Sequence, residues 1–107
     1  MSMDAVFKAL ADPLRRALLD GLRERGGLTL GELCKDRGMT RQAVTKHLAI
    51  LEGANLVATE RRGREKLHYL NPVPIQEIAE RWIGRYERGR LAALSDLKRR
   101  LEGETDG

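Results

Sequence analysis

The chain has very few of the residues on which most enzymatic and metal chemistry depends. It contains one cysteine, two histidines and 4% aromatic residues among 107 residues. A single cysteine, Cys34, excludes an internal disulfide framework and a zinc site built from several thiolates. The histidines, His47 and His68, lie far apart, and no glycine-rich phosphate loop or nucleophile and base set is recognisable. We therefore expect neither enzymatic activity nor a cofactor.

Long apolar runs and a secretory signal are also missing. No stretch approaches the roughly 18 uninterrupted apolar residues of a membrane span. The first eight residues carry Asp4 and Lys8 and have no apolar centre, unlike a signal peptide. With 41% hydrophobic residues the chain is too apolar for disorder. We expect a cytoplasmic globular protein with no membrane contact, one domain over residues 1–102 and a flexible tail at 103–107.

Helical periodicity dominates the first half of the sequence. Apolar residues recur at helical spacing from Val6 to Leu22, and Asp12-Pro13 divides this run into two helices, because aspartate caps a helix that proline can begin. The second of these helices is expected to end near Gly26-Gly27. Thr29 and Glu32 match a capping box, which predicts a third helix over residues 30–36, followed by a glycine stop at residue 38.

The third and fourth predicted helices make a helix-turn-helix. A threonine at position 40 is placed to cap the fourth helix, over residues 41–53, whose apolar residues share one face. Its N-terminal and outward positions are polar, as they are in a recognition helix whose side chains reach base edges in the major groove. The candidate DNA-contacting residues are Thr40, Arg41, Gln42, Thr45, Lys46 and His47.

Each of these side chains matches a group on DNA. Gln42 can pair with adenine, Arg41 or Lys46 can donate to guanine, and the Thr45 methyl can touch a thymine methyl. Thr40 and His47 are better placed for contacts with phosphates. The alternative is that the polar residues are only the solvated face of an amphipathic helix. The segment that follows favours the DNA interpretation.

That segment changes to a period of two, which predicts a β-hairpin with strands at residues 56–60 and 66–70. Four basic side chains at its tip oppose the single carboxylate Glu65. They are Arg61, Arg62, Arg64 and Lys66. Directly after a recognition helix, such a hairpin is typical of a wing: Arg64 suits the narrow, negative minor groove and the others suit phosphates. The alternative is an edge hairpin that charge protects from aggregation.

Apolar residues at helical spacing return from Ile75 to Leu101, after a break at Asn71-Pro72. One helix of this length would extend about 40 Å, more than so small a domain covers. Part of its apolar stripe therefore needs a second chain, and we expect a homodimer joined through the first and last helices. The interface candidates, which have the intrachain core as their alternative role, are Val6, Phe7, Leu10, Trp82, Ile83, Tyr86, Leu94 and Leu97.

The predicted order is four helices, two strands and a helix, a mainly α winged helix-turn-helix. Three segments then carry a family resemblance: KALADPLRR at residues 8–16, KHLAILEGANLV at 46–57 and YLNPVPI at 69–75. Over about residues 6–101 the chain resembles the ArsR, or arsenical-resistance repressor, family of bacterial transcription factors. The resemblance implies a dimeric repressor that leaves its operator when an effector binds.

Metal-sensing members of that family place a Cys-x-Cys pair at the start of the third helix, where this chain has Thr29 and Gly31. Other branches use histidine and acidic ligands on the last helix, but residues 75–101 contain no histidine. We therefore expect no metal site. Cys34 is expected to be buried, with a redox sensor as the alternative. His68 is expected on the strand surface.

Together these features predict a sequence-specific regulator of double-stranded DNA, a homodimeric repressor of an inverted-repeat operator. An architectural protein that binds DNA without sequence preference would use the same basic hairpin. A repressor that responds to thiol oxidation at Cys34 is a further alternative. The sequence does not identify an effector, which could be an unknown small molecule.

Overall fold

The computed structural model describes residues 3–84 and 88–105, which form six helices and one two-stranded sheet. The first four helices are α1 (Met3–Leu10), α2 (Pro13–Glu24), α3 (Leu30–Arg37) and α4 (Arg41–Gly53). The strands β1 (Val57–Arg62) and β2 (Glu65–Leu70) follow, and then α5 (Val73–Ile83) and α6 (Arg88–Thr105). The mainly helical winged helix-turn-helix architecture is the predicted one. Within the described ranges, no helix combines the length and apolar content that crossing a bilayer requires.

Two compact units divide the chain, and the boundary between Gln76 and Glu77 falls within α5. In the first unit, α1 packs on α2 and α4, while α2 also contacts α3, α4 and β2. The two helices of the helix-turn-helix, α3 and α4, contact each other, and α4 continues onto β1. Both α4 and the hairpin strand β2 therefore pack against α2 and α3.

The predicted helix caps are confirmed. Asp12 Oδ1 accepts hydrogen bonds from the backbone N–H groups of Leu14, at 2.8 Å, and Arg15, at 3.2 Å, and a proline follows at the first helical position. At α3 the Thr29 hydroxyl accepts from the Glu32 N–H at 3.2 Å, while the Glu32 carboxylate accepts from the Thr29 N–H at 3.1 Å. Gly38 ends α3 with a left-handed φ of 62°, a conformation that glycine adopts without steric cost. These local interactions set the turn before α4.

The core lies beneath α4. Its largest fully buried side chains are Leu18, Leu28, Leu33, Val44, Leu51 and Leu56. On α4 the buried Val44, Leu48 and Leu51 share one helical face, so the opposite face meets solvent. Val6, expected at a dimer interface, is only 4% exposed and belongs to this intrachain core. Apolar residues at helical spacing indicate that a side chain is buried, but they do not show whether its own chain or a partner chain buries it.

The hairpin turn is shorter than the sequence pattern indicated. The antiparallel pairing runs from Val57 opposite Leu70 to Arg62 opposite Glu65, so only two residues form the turn. Gly63 is the first of them, and its φ of 62° allows so tight a connection. The strands therefore extend past the expected limits at residues 60 and 66. Three of the four basic wing residues lie within strands, and Arg64 alone lies in the turn.

His68 is buried, at 4% exposure, and the prediction that it lies on the strand surface is wrong. Its Nδ1 lies 2.8 Å from the Leu28 carbonyl oxygen, and the backbones of these two residues form an isolated antiparallel bridge. The Gly27 N–H also donates to the His68 carbonyl at 2.8 Å. The segment before α3 thus covers the face of β2 that strand alternation assigned to solvent.

The C-terminal part contains two helices where one was expected. The first begins at Val73, two residues early, where the Asn71 side chain accepts from the Val73 N–H at 3.3 Å and proline is tolerated in the first turn. It ends at Ile83, before Gly84, and glycine has low helix propensity. Tyr86 lies outside the described residues. The second helix reaches Thr105, so it extends beyond the expected start of the tail at residue 103.

Candidate nucleic-acid interface

The exposed face of α4 carries four of the six predicted DNA-contacting residues. Arg41, Gln42, Thr45 and Lys46 are all exposed. The last three lie on the side of the helix away from its buried residues, and Arg41 is its first residue. The Arg41 guanidinium extends toward the start of α3, where a β-carbon built on Gly31 would lie 3.7 Å from Nη1. The helix therefore presents amide, hydroxyl and cationic groups together, the set that can read base edges.

The two remaining residues of the predicted set have roles inside the protein. The exposed Thr40 caps α4, since its hydroxyl accepts from the Ala43 N–H at 3.1 Å. His47 is half-buried, and its Nδ1 lies 3.4 Å from Nη1 of Arg15 on α2. Both residues border the exposed face of α4, and both also fix where that helix begins or how it meets its neighbours.

The hairpin is cationic at its tip. Lys66 forms an ion pair with Glu52 of α4 at 3.2 Å, and Arg62 Nη2 lies 3.6 Å from a Glu60 carboxylate oxygen. Arg61 and Arg64 are exposed, and within the part of the chain that the structure describes neither forms an ion pair with a carboxylate. Two of the four basic side chains therefore have no nearby carboxylate and are available to an outside anion.

A groove of about 530 Å³ lies between α3, α4 and the hairpin. Cationic side chains reach it from two directions, Arg41 from the recognition helix and Arg64 and Lys66 from the hairpin. Sequence reasoning did not identify the other lining residues, because they become neighbours only through folding. They are Thr29, Leu30, Gly31, Leu48, Glu52, Glu65 and His68, and Thr45 of the predicted set lines the groove with them. A polyanion running from α4 to the hairpin would pass this groove.

The site prediction also missed Arg15, which lies on α2. It donates from Nε to the Ala9 carbonyl at 2.8 Å and from Nη2 to the Lys8 carbonyl at 2.9 Å, both near the end of α1. The sequence does contain a signal for it. Positive charge in the first turn of a helix opposes the helix dipole, so an arginine there indicates partners elsewhere.

Two capping carboxylates remain ionised to lower pH than ordinary carboxylates. Partial desolvation raises the pKa of Asp12, but hydrogen bonds from the Arg15 and Leu14 N–H groups and the charges of Arg15 and His47 outweigh it, so the pKa is lowered. The pKa of Glu32 is lowered by the Thr29 N–H and hydroxyl and by Arg25. Both carboxylates are therefore charged at neutral pH, where they complement helix N-termini.

Among the residues that the structure describes, no three histidine, cysteine or acidic side chains lie close enough to hold a metal ion. Cys34 is half-buried, whereas full burial was expected. It lies on α3, whose only fully covered side chain is Leu33.

A helix-turn-helix whose second helix is polar and exposed, followed by a cationic hairpin, defines a winged helix-turn-helix DNA-binding transcriptional regulator. A family model described as a helix-turn-helix domain matches residues 10–60. A crystal structure of an ArsR family transcriptional regulator, RHA00566, is similar to the chain with a TM-score of 0.64 and 30% identity, covering 90% of this chain and 89% of that one. The chain belongs to the ArsR family of transcriptional regulators.

Two transcriptional regulators of Bacillus subtilis (strain 168) are also similar to the chain. The uncharacterized HTH-type transcriptional regulator YuzN is 44% identical over 86 residues, which cover 75% of this chain and 94% of YuzN. The transcriptional repressor SdpR is 33% identical over 75 residues, covering 70% of this chain and 82% of SdpR. These relatives are regulators and not enzymes, in agreement with the prediction that this chain has no catalytic function.

Proposed function

We propose that this protein is a homodimeric repressor that recognises an inverted-repeat operator in the cytoplasm and responds to no metal ion. The observation that carries the proposal is the exposed polar face of α4 beside a cationic hairpin. The similarity to a transcriptional repressor, SdpR, supports repression as the direction of regulation. Occlusion of a promoter is the simplest mechanism for a protein of this size.

In this proposal α4 enters the major groove and the hairpin reaches the adjacent minor groove. Gln42 and Thr45 are exposed and face outward, so they supply the base contacts. Arg64 is in the two-residue turn, and its charge is unpaired among the described residues, which suits the negative minor groove. The phosphate backbone between the two grooves would then pass the 530 Å³ groove, which three cations and two carboxylates line.

Two copies of α4 must act together to read an inverted repeat, with half-sites about one helical turn apart. The support for a dimer is the apolar surface that a single chain leaves in solvent. Trp82 is 56% exposed on α5 and Leu94 is 53% exposed on α6, and Ile83 and Leu97 are exposed beside them in sequence. Phe7 on α1 is 43% exposed, while Leu10 is half-buried. Large apolar side chains left in solvent in this number support an interaction site.

The test compares two substitutions on the protein's own promoter DNA and on scrambled duplexes. Gln42→Ala should cost about 1–3 kcal/mol on the operator and relax the preference at one base pair, because only a base contact is lost. Arg64→Ala should weaken binding to all sequences and flatten the dependence of affinity on salt. Arg23→Ala is the matched control, since it removes another exposed arginine, from α2.

The alternatives give different outcomes. If promoter and scrambled duplexes bind equally well, the protein is architectural and the sequence-specific proposal is wrong. If peroxide releases wild-type protein from the operator but not a Cys34→Ser variant, then Cys34 is a redox sensor. Elemental analysis of the purified protein should detect no stoichiometric zinc, cadmium or arsenic. One metal ion per chain would contradict the claim that it is not a metal sensor.

A further inference from the structure

Two consecutive arginines at the start of α2 bind the exposed carbonyl end of α1. The last carbonyls of a helix have no partner within it. Arg15 satisfies those of Ala9 and Lys8, and Arg16 Nη1 donates to the Leu10 carbonyl at 2.6 Å. Both arginines therefore join α1 to α2, but they differ in one respect, because only Arg15 also reaches α4.

The Arg15 contact with α4 has a defined chemistry. Its Nη1 lies 3.4 Å from Nδ1 of His47 and 3.8 Å from Oδ2 of Asp12. A guanidinium can only donate, so this contact is a hydrogen bond when His47 is neutral and carries its ring proton on Nε2. The Arg15 side chain is only 14% exposed. The guanidinium is thus held by α1, the Asp12 cap and α4 at once.

This contact is at a position that decides how α4 is oriented. His47 stands between the exposed Lys46 and the buried Leu48, at the edge of the DNA-facing side. Apolar packing of leucine and valine tolerates small rotations of a helix, whereas the contact at Nδ1 is already long, at 3.4 Å, and a rotation that moves His47 away from α2 would break it. A polar anchor at this edge therefore restricts rotation of α4 about its axis.

We propose that Arg15 is a positioning residue for DNA recognition, which sets the rotation of α4 through His47 Nδ1 without itself touching DNA. The inference rests on the proposed function, since it concerns how the recognition helix meets the operator. Loss of Arg15 should affect sequence-specific contacts, which need an exact fit, more than contacts with phosphates, which a small rotation leaves largely intact.

The closing experiment uses the full chain and compares Arg15→Gln with Arg16→Gln. Both variants lose a link to α1, and only the first loses the link to His47. Arg15→Gln should lower affinity for the operator about tenfold, within the range by which residues without ligand contact alter binding, and leave affinity for scrambled DNA nearly unchanged. Arg16→Gln should leave the ratio of the two affinities unchanged. Equal loss in both variants overturns the inference.

A second measurement needs neither DNA nor a variant. Nitrogen-15 spectra of wild-type His47 at mildly alkaline pH, where imidazole is neutral, should show the proton on Nε2. The proton on Nδ1 overturns the inference, even if Arg15→Gln fails to fold. Wild-type protein that does not distinguish operator from scrambled DNA contradicts the proposed function itself. An operator preference that Arg15→Gln leaves intact contradicts only the positioning role.

Discussion

At the scale of single residues, Thr40 connects stability with recognition. Its hydroxyl caps α4, and the residue is itself exposed at the end of that helix where we propose DNA contacts. Thr40→Ala should lower the free energy of unfolding by about 1 kcal/mol, because the Ala43 N–H loses its acceptor. Urea denaturation measures the change. Thr45→Ala is the matched control, since this exposed threonine does not cap α4, and its unfolding free energy should change little. Equal losses in the two variants would contradict the capping role.

The Glu32 cap makes the stability of the folded protein depend on pH. Its pKa is lowered in the folded protein, so the folded state binds fewer protons than the unfolded chain at mildly acidic pH. The stabilisation is therefore complete at neutral pH and is lost as pH falls through the lowered pKa. Glu32→Gln keeps a side-chain acceptor for the Thr29 N–H but removes the charge. We expect its urea midpoint to fall less steeply than that of the wild type down to about pH 3.

The control for this experiment is Glu24→Gln, which neutralises an exposed carboxylate at the end of α2. Its midpoint should follow pH as the wild type does. If Glu32→Gln and wild type lose stability in parallel, the Thr29 hydrogen bonds and Arg25 do not lower the pKa of Glu32 in solution.

Residues whose partners are near in sequence could be predicted, and those with distant partners could not. The Thr29–Glu32 box spans three residues, and its chemistry is visible in the chain. His68 is buried by Leu28, 40 residues away, and nothing in the alternation of β2 reveals that neighbour. Arg15 and His47 are 32 residues apart and come together by the same kind of long-range packing.

At the scale of elements, the two-residue turn determines the length of the wing. Gly63 has a φ of 62°, a region that costs other residues about 1–2 kcal/mol, so Gly63→Ala should destabilise the protein by about that amount. Gly53→Ala is the opposing control, because Gly53 is helical and a β-carbon there meets nothing within 4 Å. That variant should be about 0.4–1 kcal/mol more stable. Thermal unfolding distinguishes the two, and a shift of the same sign in both would contradict the turn assignment.

The types of the elements could be read from the sequence better than their ends. A period of two predicted the hairpin, but strand pairing past residue 60 depends on how closely Gly63 lets the strands approach. Apolar spacing from residue 75 to 101 continued across Gly84, so it could not show that α5 ends there. Periodicity records which face is apolar, whereas a helix end depends on one backbone position.

At the scale of the whole molecule, the apolar side of α6 should set the oligomeric state. Leu94 is exposed in one chain, so burying a glutamate there against a second copy would be unfavourable. Leu94→Glu should raise the dimer dissociation constant about a hundredfold. Sedimentation velocity at several protein concentrations measures it. Ala92→Glu, on the opposite side of the helix, is the control and should remain dimeric. A wild-type monomer at micromolar concentration would contradict the homodimer.

The backbone bridge between Leu28 and His68 also has a consequence for the order of folding. It joins residues 40 positions apart, and the intervening loop contains the whole helix-turn-helix. Closing a long loop is entropically costly until the segments inside it are compact. We therefore expect α3 and α4 to collapse first and the hairpin to dock last. A change that weakens the bridge would therefore accelerate unfolding and leave the refolding rate nearly unchanged. Because the hairpin docks last, it is also the part of the protein that a brief opening of the native state would release first.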